Sequence, residues 1–597
     1  MRIRDYLKHN KLIADGAMGT YYSGLTGEDS AVSELANLNR PDMISAIHKS
    51  YIAAGAGLIR TNSFAANRQV LAVGKEEQAE LLTASYLLAR QAVLDSGREV
   101  YIACDIGPIS EHGGRTEEDI LEEYRFICDT FLKQKPEIFL FETFADLRFI
   151  NRLVPYIREK APQAFIITTF CLNKNGYTSS GISAASLLRQ IAETDGIDAG
   201  GFNCGIGSGH MYQILKNLNF PADRFILAAP NAGYPERLQN RMVFMDNEGY
   251  FGTNMKQIEE LGVDMIGGCC GTTPKFIRKL SELVDGKRPG PNINYGNRTD
   301  YRKEAAEQKE LRKNEFYELF RSGKKVVAVE LDPPYDARDE KLIACAQSLK
   351  RSGADIITIA DSPMGRSRVD SILMSVKLSG ETGMPVMPHV CCRDKNVIAM
   401  RSGLLGAYAN GIRNILIVTG DPIPSESRQS ATGVFDYNSI QLMQFVQEMN
   451  REHFSEEPFY YGGALNYGRG NIETVIERMQ KKIAVGTKYF LTQPVFCDED
   501  IERLRTIKSR VDTKLLCGIM PLTSYRNANF IRNEITGIHV PDSVVARYHP
   551  DMPKEEAECV GAEIAGEIIE RLSPFADGYY FMLPFNRVSF MEKIKIR

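Results

Sequence analysis

The chain has 597 residues, too many for one hydrophobic core, so it divides into two large domains or several smaller ones. Apolar residues make up 43% and charged residues 25%, and a net charge of -4 supplies no basic surface for nucleic acid. No run of about 18 apolar residues exists to cross a membrane, and the start, MRIRDYLKHNKLIADG, lacks the apolar stretch of an export signal. The 12 cysteines are scattered, and without an export signal they are expected as reduced thiols in a cytoplasmic protein.

Short apolar runs follow one another at regular spacing. In the first half they are KLIAD, GLIRTNSF, EVYIACDIG, IFLFETF, AFIITTFC, AGGFNC, FILAAPNAG and DMIGGCC. Segments of helical periodicity lie between most of them, such as EDILEEYRFICDTFLKQ. Strand alternating with helix predicts parallel strands joined by crossover helices, and eight such units predict a (β/α)8 barrel. The second half repeats the pattern with KVVAVELDPP, DIITIADSP, PVMPHVCC, NILIVTGDP, FYYGGALNY, YFLTQPVF, KLLCGIMP and GYYFMLP. The fold class is therefore α/β, two tandem (β/α)8 TIM barrels over residues 1–288 and 310–597. The Pro-, Gly- and Asn-rich stretch, then a charged helical one, gives a linker over 289–309.

A barrel places its chemistry at the C-terminal ends of strands. The polar residues fall there: Asp15, Thr61, Asn62, Asp105, Glu142, Cys204, Asn231, Cys269 and Cys270 in the first half. In the second they are Glu330, Asp332, Thr358, Asp361, His389, Asp421, Gln493 and Met520.

Cys204 ends the sixth strand, and the adjacent Cys269 and Cys270 end the eighth, so the three sulfurs can converge on one rim. Three thiolates make a soft site suited to zinc with the fourth position open, which implies catalysis. For Cys104 or Cys171 alone, a small buried residue is the better reading. A thiolate-bound zinc suits binding a substrate thiol and lowering its pKa. Asp15 and Glu142 could hold a substrate ammonium, with Thr61 and nearby amides facing a carboxylate; together these describe an amino-acid thiol. LIADGAMGT, RTNSFAANR, FETFADL, GFNCG and GGCCGTTP resemble the zinc-dependent homocysteine S-methyltransferases over about residues 1 to 288, closest to the homocysteine-binding module of cobalamin-dependent methionine synthases. The resemblance implies Cys204, Cys269 and Cys270 as zinc ligands, with Asp15, Thr61 and Glu142 around homocysteine. The methyl donor stays open. No cobalamin-type Asp-x-His-x-x-Gly is present, and a betaine cage lacks Trp, although Tyr21 and Tyr22 could stand in.

In the second half VAVELDPP, PHVCC, IVTGDP, KKIAVGTKYFLTQPVF and CGIMP resemble the flavin-dependent methylenetetrahydrofolate reductases, over about residues 310 to 597. That resemblance implies FAD on the rim, reduced by NADH or NADPH before the folate enters. It implies Glu330 as the general acid that opens the folate ring, and Asp421 as a carboxylate on the pteridine beside the flavin. It also implies Gln493 as a second grip on the pteridine and Tyr525 as an aromatic that stacks on substrate. Thr358, His389, Thr419, Gly420, Asp421 and Lys482 take flavin-binding positions. The chain departs from the family at Thr419, where arginine is usual, at GGALNYGRG, at Pro494 and in the last strand. PHVCC lacks zinc spacing.

The expected whole is a bifunctional enzyme of one-carbon metabolism that makes methyltetrahydrofolate and methylates homocysteine to methionine. The alternative keeps the first barrel as the methyltransferase and makes the second a folate-binding or docking module without flavin chemistry. The expected partners are small molecules, homocysteine and methylenetetrahydrofolate, with no nucleic acid and no membrane. A homo-oligomer, a corrinoid partner protein and a separate reductase stay open.

Overall fold

The structure, a computed structural model, describes residues 1–27, 32–110, 115–238, 241–287, 298–301, 313–423, 431–468, 470–535 and 538–596, without the side chains of 236–243. It separates into two compact units, Met1–Gln308 and Lys309–Arg597.

All eight apolar runs of the first half become parallel strands: β1 (Leu12–Ile13), β2 (Leu58–Arg60), β3 (Tyr101–Ile106), β4 (Ile138–Phe144), β5 (Phe165–Phe170), β6 (Ala199–Gly207), β7 (Phe225–Asn231) and β8 (Met265–Ile266). Neighbours in sequence are neighbours in the sheet, and β8 returns to β1. The ring closes where Ala14 bridges Leu58, with Gly57 N–H donating to the Ile13 carbonyl at 2.8 Å and Asp15 N–H to that of Leu58 at 2.9 Å. Alternate side chains fill the interior, among them Tyr101 and Ala103, Ile138 and Leu140, Phe165 and Ile167. Ile3 and Leu7 of the helix Ile3–Leu7 join this interior cluster.

The second unit repeats the plan in β9 (Val326–Leu331), β10 (Ile356–Ile359), β11 (Val386–Cys391), β12 (Asn414–Val418), β13 (Tyr460–Leu465), β14 (Tyr489–Pro494), β15 (Lys514–Ile519) and β16 (Gly578–Met582), a closed barrel with β9 paired to β16. Phe316 and Phe320 of the preceding helix Glu315–Arg321 pack with Val326, Ile356, Leu416 and Tyr489 in its interior. The two-barrel expectation is what the chain forms. No described helix is long and apolar enough to cross a membrane.

Four strands are preceded by an aspartate that performs one task. Asp198, Asp264, Asp355 and Asp577 accept the backbone N–H of Ile166, Ile226, Val327 and Leu515, at 2.9, 2.8, 3.0 and 2.9 Å. Each is also paired with a cation: Arg4 and Arg158, Arg298, Lys324, and Lys508 with Lys514.

Most of the expected linker, at 289–297 and 302–309, lies outside the described residues. Its short described stretch is part of the first unit. Arg298–Thr299 pairs with Phe220–Pro221, Arg298 donates to the carbonyls of Pro221, Arg224 and Gly262, and its guanidinium meets buried Asp264 at 2.9 Å. A first-barrel fragment ending at residue 287 removes Arg298 from that carboxylate. It is expected to unfold with a stability lower by ~3 kcal/mol than the fragment 1–308, since breaking a buried ion pair by removing one partner is strongly destabilising. Urea denaturation of the two fragments checks this, and equal midpoints would reject it.

Candidate functional sites

At the rim of the first barrel the sulfurs of Cys204, Cys269 and Cys270 all lie within 4.8 Å of one another, with Cys204 and Cys270 at 3.6 Å. The chain reaches this arrangement through unusual backbone. Cys204 has φ 56°, a left-handed conformation that a non-glycine residue adopts at a cost of order 1–3 kcal/mol. Asn203, fully buried, holds the turn: its amide donates to Thr143 Oγ1 at 2.7 Å and accepts from Thr143 N–H at 3.1 Å. Its Nδ2 also lies 3.6 Å from Cys269 Sγ. Gly271, at φ 78°, has no room for a side chain, because a Cβ would sit 2.1 Å from the Phe244 ring. The Cys269–Thr273 loop is fastened to the loop after β1: Thr272 Oγ1 donates to the Cys269 carbonyl and accepts from Ala17 N–H, and Gly271 N–H donates to Thr20 Oγ1. Cys171, the decoy in sequence, contacts Cys204 but falls outside the mutually close set.

The donor set fits a thiophilic cation. Hydrogen bonding to Cys204 pushes Cys269 up to about 12 and drives Cys270 higher still. Three sulfurs this close together suit a thiophilic cation that takes them as thiolates. With three sulfurs as ligands, a tetrahedral ion keeps one position for substrate.

A cavity of about 1000 Å³ opens over the sulfurs and is lined by Asp15, Thr61, Asp105 and Glu142 as well as all three cysteines. Sequence reasoning assigned no role to the group that organises it. Arg60, at the end of β2, is 9% exposed; its Nε donates to Asp15 Oδ1 at 2.7 Å and its backbone N–H to Asp15 Oδ2 at 2.9 Å. Nη1 reaches Glu142 at 2.5 Å, and Nη2 reaches the carbonyls of Gly16 and Gly268 at 2.5 and 2.8 Å. One guanidinium thus ties the ends of β1, β4 and β8 together. Burial raises Asp15, Glu142 and most strongly Asp105, which stands against Glu142. Among the described lining residues Arg60 is the one cation beside these carboxyl groups and that of Glu34. Thr61, expected to face a carboxylate, is engaged elsewhere: it accepts Asp105 N–H at 2.9 Å and meets Ser63, whose own proton goes to the Asp105 carbonyl. Tyr21 lines the cavity, whereas Tyr22 is buried and does not.

In the second barrel the Tyr580 hydroxyl donates to Glu330 Oε2. Tyr580 belongs to the barrel-interior cluster, so the bond comes from beneath the rim. Burial first, and the charges of Asp332 and Asp421 after it, push Glu330 up to about 7. His389 Nε2 lies 3.7 Å from the same oxygen, and burial drops this imidazole to about 4, so it is neutral. That nitrogen is buried without a hydrogen-bond partner among the described residues, and the Thr358 hydroxyl beside Tyr580 completes no hydrogen bond of good geometry. Asp421 is exposed and accepts Met364 N–H at 2.7 Å. Gly420, at φ 93°, would place a Cβ 2.1 Å from Cys391 Sγ, and Thr419 offers its carbonyl to that thiol. Gln493 ends β14 half-buried, and Tyr525 opens the helix Tyr525–Glu534. Lys482 is buried, donates to the Ala464 carbonyl at 3.1 Å, and is lowered to about 8, first by burial. Arg393, 1% exposed, was also missed. It forks onto Asp394 and donates to the carbonyls of Asp421 and Ser362, tying the loops after β10, β11 and β12.

The two units match two different families. The homocysteine S-methyltransferase family matches residues 12–284, and the methylenetetrahydrofolate reductase family matches residues 315–584. Among curated proteins, the methionine synthase of Mycobacterium tuberculosis is 28% identical over 317 residues, 49% of this chain; the match spans about a quarter of that protein's length, 26%. Among solved structures, the oxidized form of the homocysteine methyltransferase MmuM from Escherichia coli is 21% identical, covering 46% of this chain and 96% of its own, with a TM-score of 0.38. The apo form of the same protein gives 22% and 0.37 over the same shares. The chain is a fusion of two enzyme domains, a homocysteine S-methyltransferase barrel followed by a methylenetetrahydrofolate reductase barrel.

Proposed function

We propose that the first barrel transfers a methyl group to homocysteine at a zinc ion held by Cys204, Cys269 and Cys270, and that the second reduces methylenetetrahydrofolate with FAD and NADH or NADPH. The observation that carries the first half is the convergence of three sulfurs at a cavity lined by the carboxyl groups of Asp15, Glu34, Asp105 and Glu142. Cys204, Cys269 and Cys270 would hold the zinc, which when bound would supply a Lewis acid that lowers the pKa of a substrate thiol. The residues of the chain then orient the rest of the molecule. Free lone pairs on Asp15 and Glu142 accept the substrate ammonium, and Arg60 holds both carboxyl groups in place.

In the second barrel Glu330 is the proton donor. Near neutral pH about half of its population carries a proton, and Tyr580 fixes the carboxyl's orientation. That proton passes to the departing nitrogen of the folate's five-membered ring, opening it to an iminium. The unpartnered His389 nitrogen and the Thr358 hydroxyl suit a flavin, which supplies the hydride when bound. Asp421, Gln493 and Tyr525 receive the pteridine, and Arg393 holds the Thr419–Asp421 turn.

The deciding experiment supplies zinc-loaded protein with homocysteine and one methyl donor at a time: methyltetrahydrofolate, a methylated corrinoid protein, or betaine. Methionine formed with any of them supports the first barrel's assignment and names its donor; none formed rejects it. Flavin absorbance in the purified protein, bleached by NADH or NADPH, separates a working reductase from a folate-binding module.

A further inference from the structure

Arg60 does more than brace the first site. A guanidinium carries five N–H donors. Four are accounted for: Nε on Asp15, both hydrogens of Nη2 on the Gly16 and Gly268 carbonyls, and one of Nη1 on Glu142. One Nη1 hydrogen has no partner among the described residues. Arg60 lines the cavity, and among the described lining residues it is the only basic one, against Asp15, Glu34, Asp105 and Glu142. An amino acid in this cavity brings a carboxylate as well as an ammonium. The acidic residues match the ammonium. Thr61 cannot take the carboxylate, because its hydroxyl proton faces Ser63 and its oxygen accepts Asp105 N–H. A carboxylate brought among four acidic side chains needs a cation, and the chain places one there.

We propose that Arg60 is the carboxylate-recognising residue of the first barrel, its free Nη1 hydrogen donating to the α-carboxylate of the thiol substrate. This rests on the reading of that barrel as a binder of amino-acid thiols. It makes the site selective for a zwitterion: one guanidinium orders the two acids that take the ammonium and binds the opposite charge itself.

The test is titration calorimetry on the zinc-loaded full chain with three thiols. These are homocysteine, 3-aminopropane-1-thiol, which lacks only the carboxylate, and 4-mercaptobutanoic acid, which lacks only the ammonium. The unaltered protein is expected to bind homocysteine about 10- to 100-fold more tightly than the aminothiol, the usual worth of a hydrogen bond to a charged group. Arg60→Gln should erase that preference and abolish mercaptobutanoate binding while keeping one zinc per chain. Arg60→Lys, which keeps the charge but not the fork, should fall between. An unaltered protein that binds homocysteine and the aminothiol alike overturns the proposal, whatever the variants do. So does loss of zinc in both variants, or an equal loss of affinity for all three thiols, since either makes Arg60 a staple of the rim only. Failure of the unaltered protein to respond to any thiol rejects the homocysteine reading and this proposal with it.

Discussion

Cys269→Ala is expected to abolish homocysteine methylation while leaving folate reduction at its normal rate. The substitution removes one of three sulfurs that lie within 4.8 Å of each other, and two remaining thiols make a far weaker zinc site. Metal content should fall from about one ion per chain to a small fraction, and with it several kcal/mol of substrate activation, about 10³-fold or more in rate. The barrel itself should survive, because the lost sulfur is small and its loop stays tied through Thr272 and Gly271. Cys171→Ala serves as the matched control and should retain its zinc. Metal analysis beside both activity assays reads the outcome. Unchanged metal in both the Cys204 and the Cys269 variants would remove the assignment.

Glu330→Gln should separate the two halves of the reductase cycle. Glutamine keeps the shape and can still accept from Tyr580, but it has no proton to give. Loss of a general acid costs about 10²- to 10⁴-fold. Flavin bleaching by NADH or NADPH involves no proton on folate and is expected to stay near normal, with the subsequent oxidation by methylenetetrahydrofolate slowed by that factor. The pH profile follows from the direction of the shift. Burial raises the acid to about 7, so it is protonated below that value and loses its proton above it. In the unaltered protein the folate step should therefore decline above about pH 7, and the flavin step should not share that decline. Stopped-flow absorbance distinguishes them. Equal slowing of both steps in the variant would make Glu330 a structural brace.

The strand runs were legible because each carries its own burial pattern: continuous apolar stretches buried on both faces, ending in a polar residue at one rim. The sulfur cluster was legible for the same reason, since Cys204 and the Cys269–Cys270 pair close strands that end on that rim. Arg60 and Tyr580 were not. Arg60 sits in RTNSF, where the eye goes to the hydroxyls, and its importance comes from residues 15, 16, 142 and 268, far away in the chain. Tyr580 lies in GYYFMLP, which reads as core; only the closing of β16 against β9 brings its hydroxyl to Glu330. Arg393 is similar: the sequence shows an arginine missing at Thr419 but cannot show that a neighbouring strand reaches the same turn. The short hairpin Glu236–Leu238 with Arg241–Val243 left no periodic signal, being only three residues on each side.

The aspartates placed before four strands work as dowels. In every case the carboxylate takes the amide of the second residue of the strand alongside, so it measures a fixed offset between two neighbours. Sliding one strand by a single position would withdraw that amide and turn the strand's interior side chains toward the helices. The dowels sit at the opposite end from the sulfurs and from Glu330. Each barrel thereby has its alignment fixed at the floor, and the loops at the mouth are left free to differ, which is how two barrels of one plan can carry two unrelated chemistries.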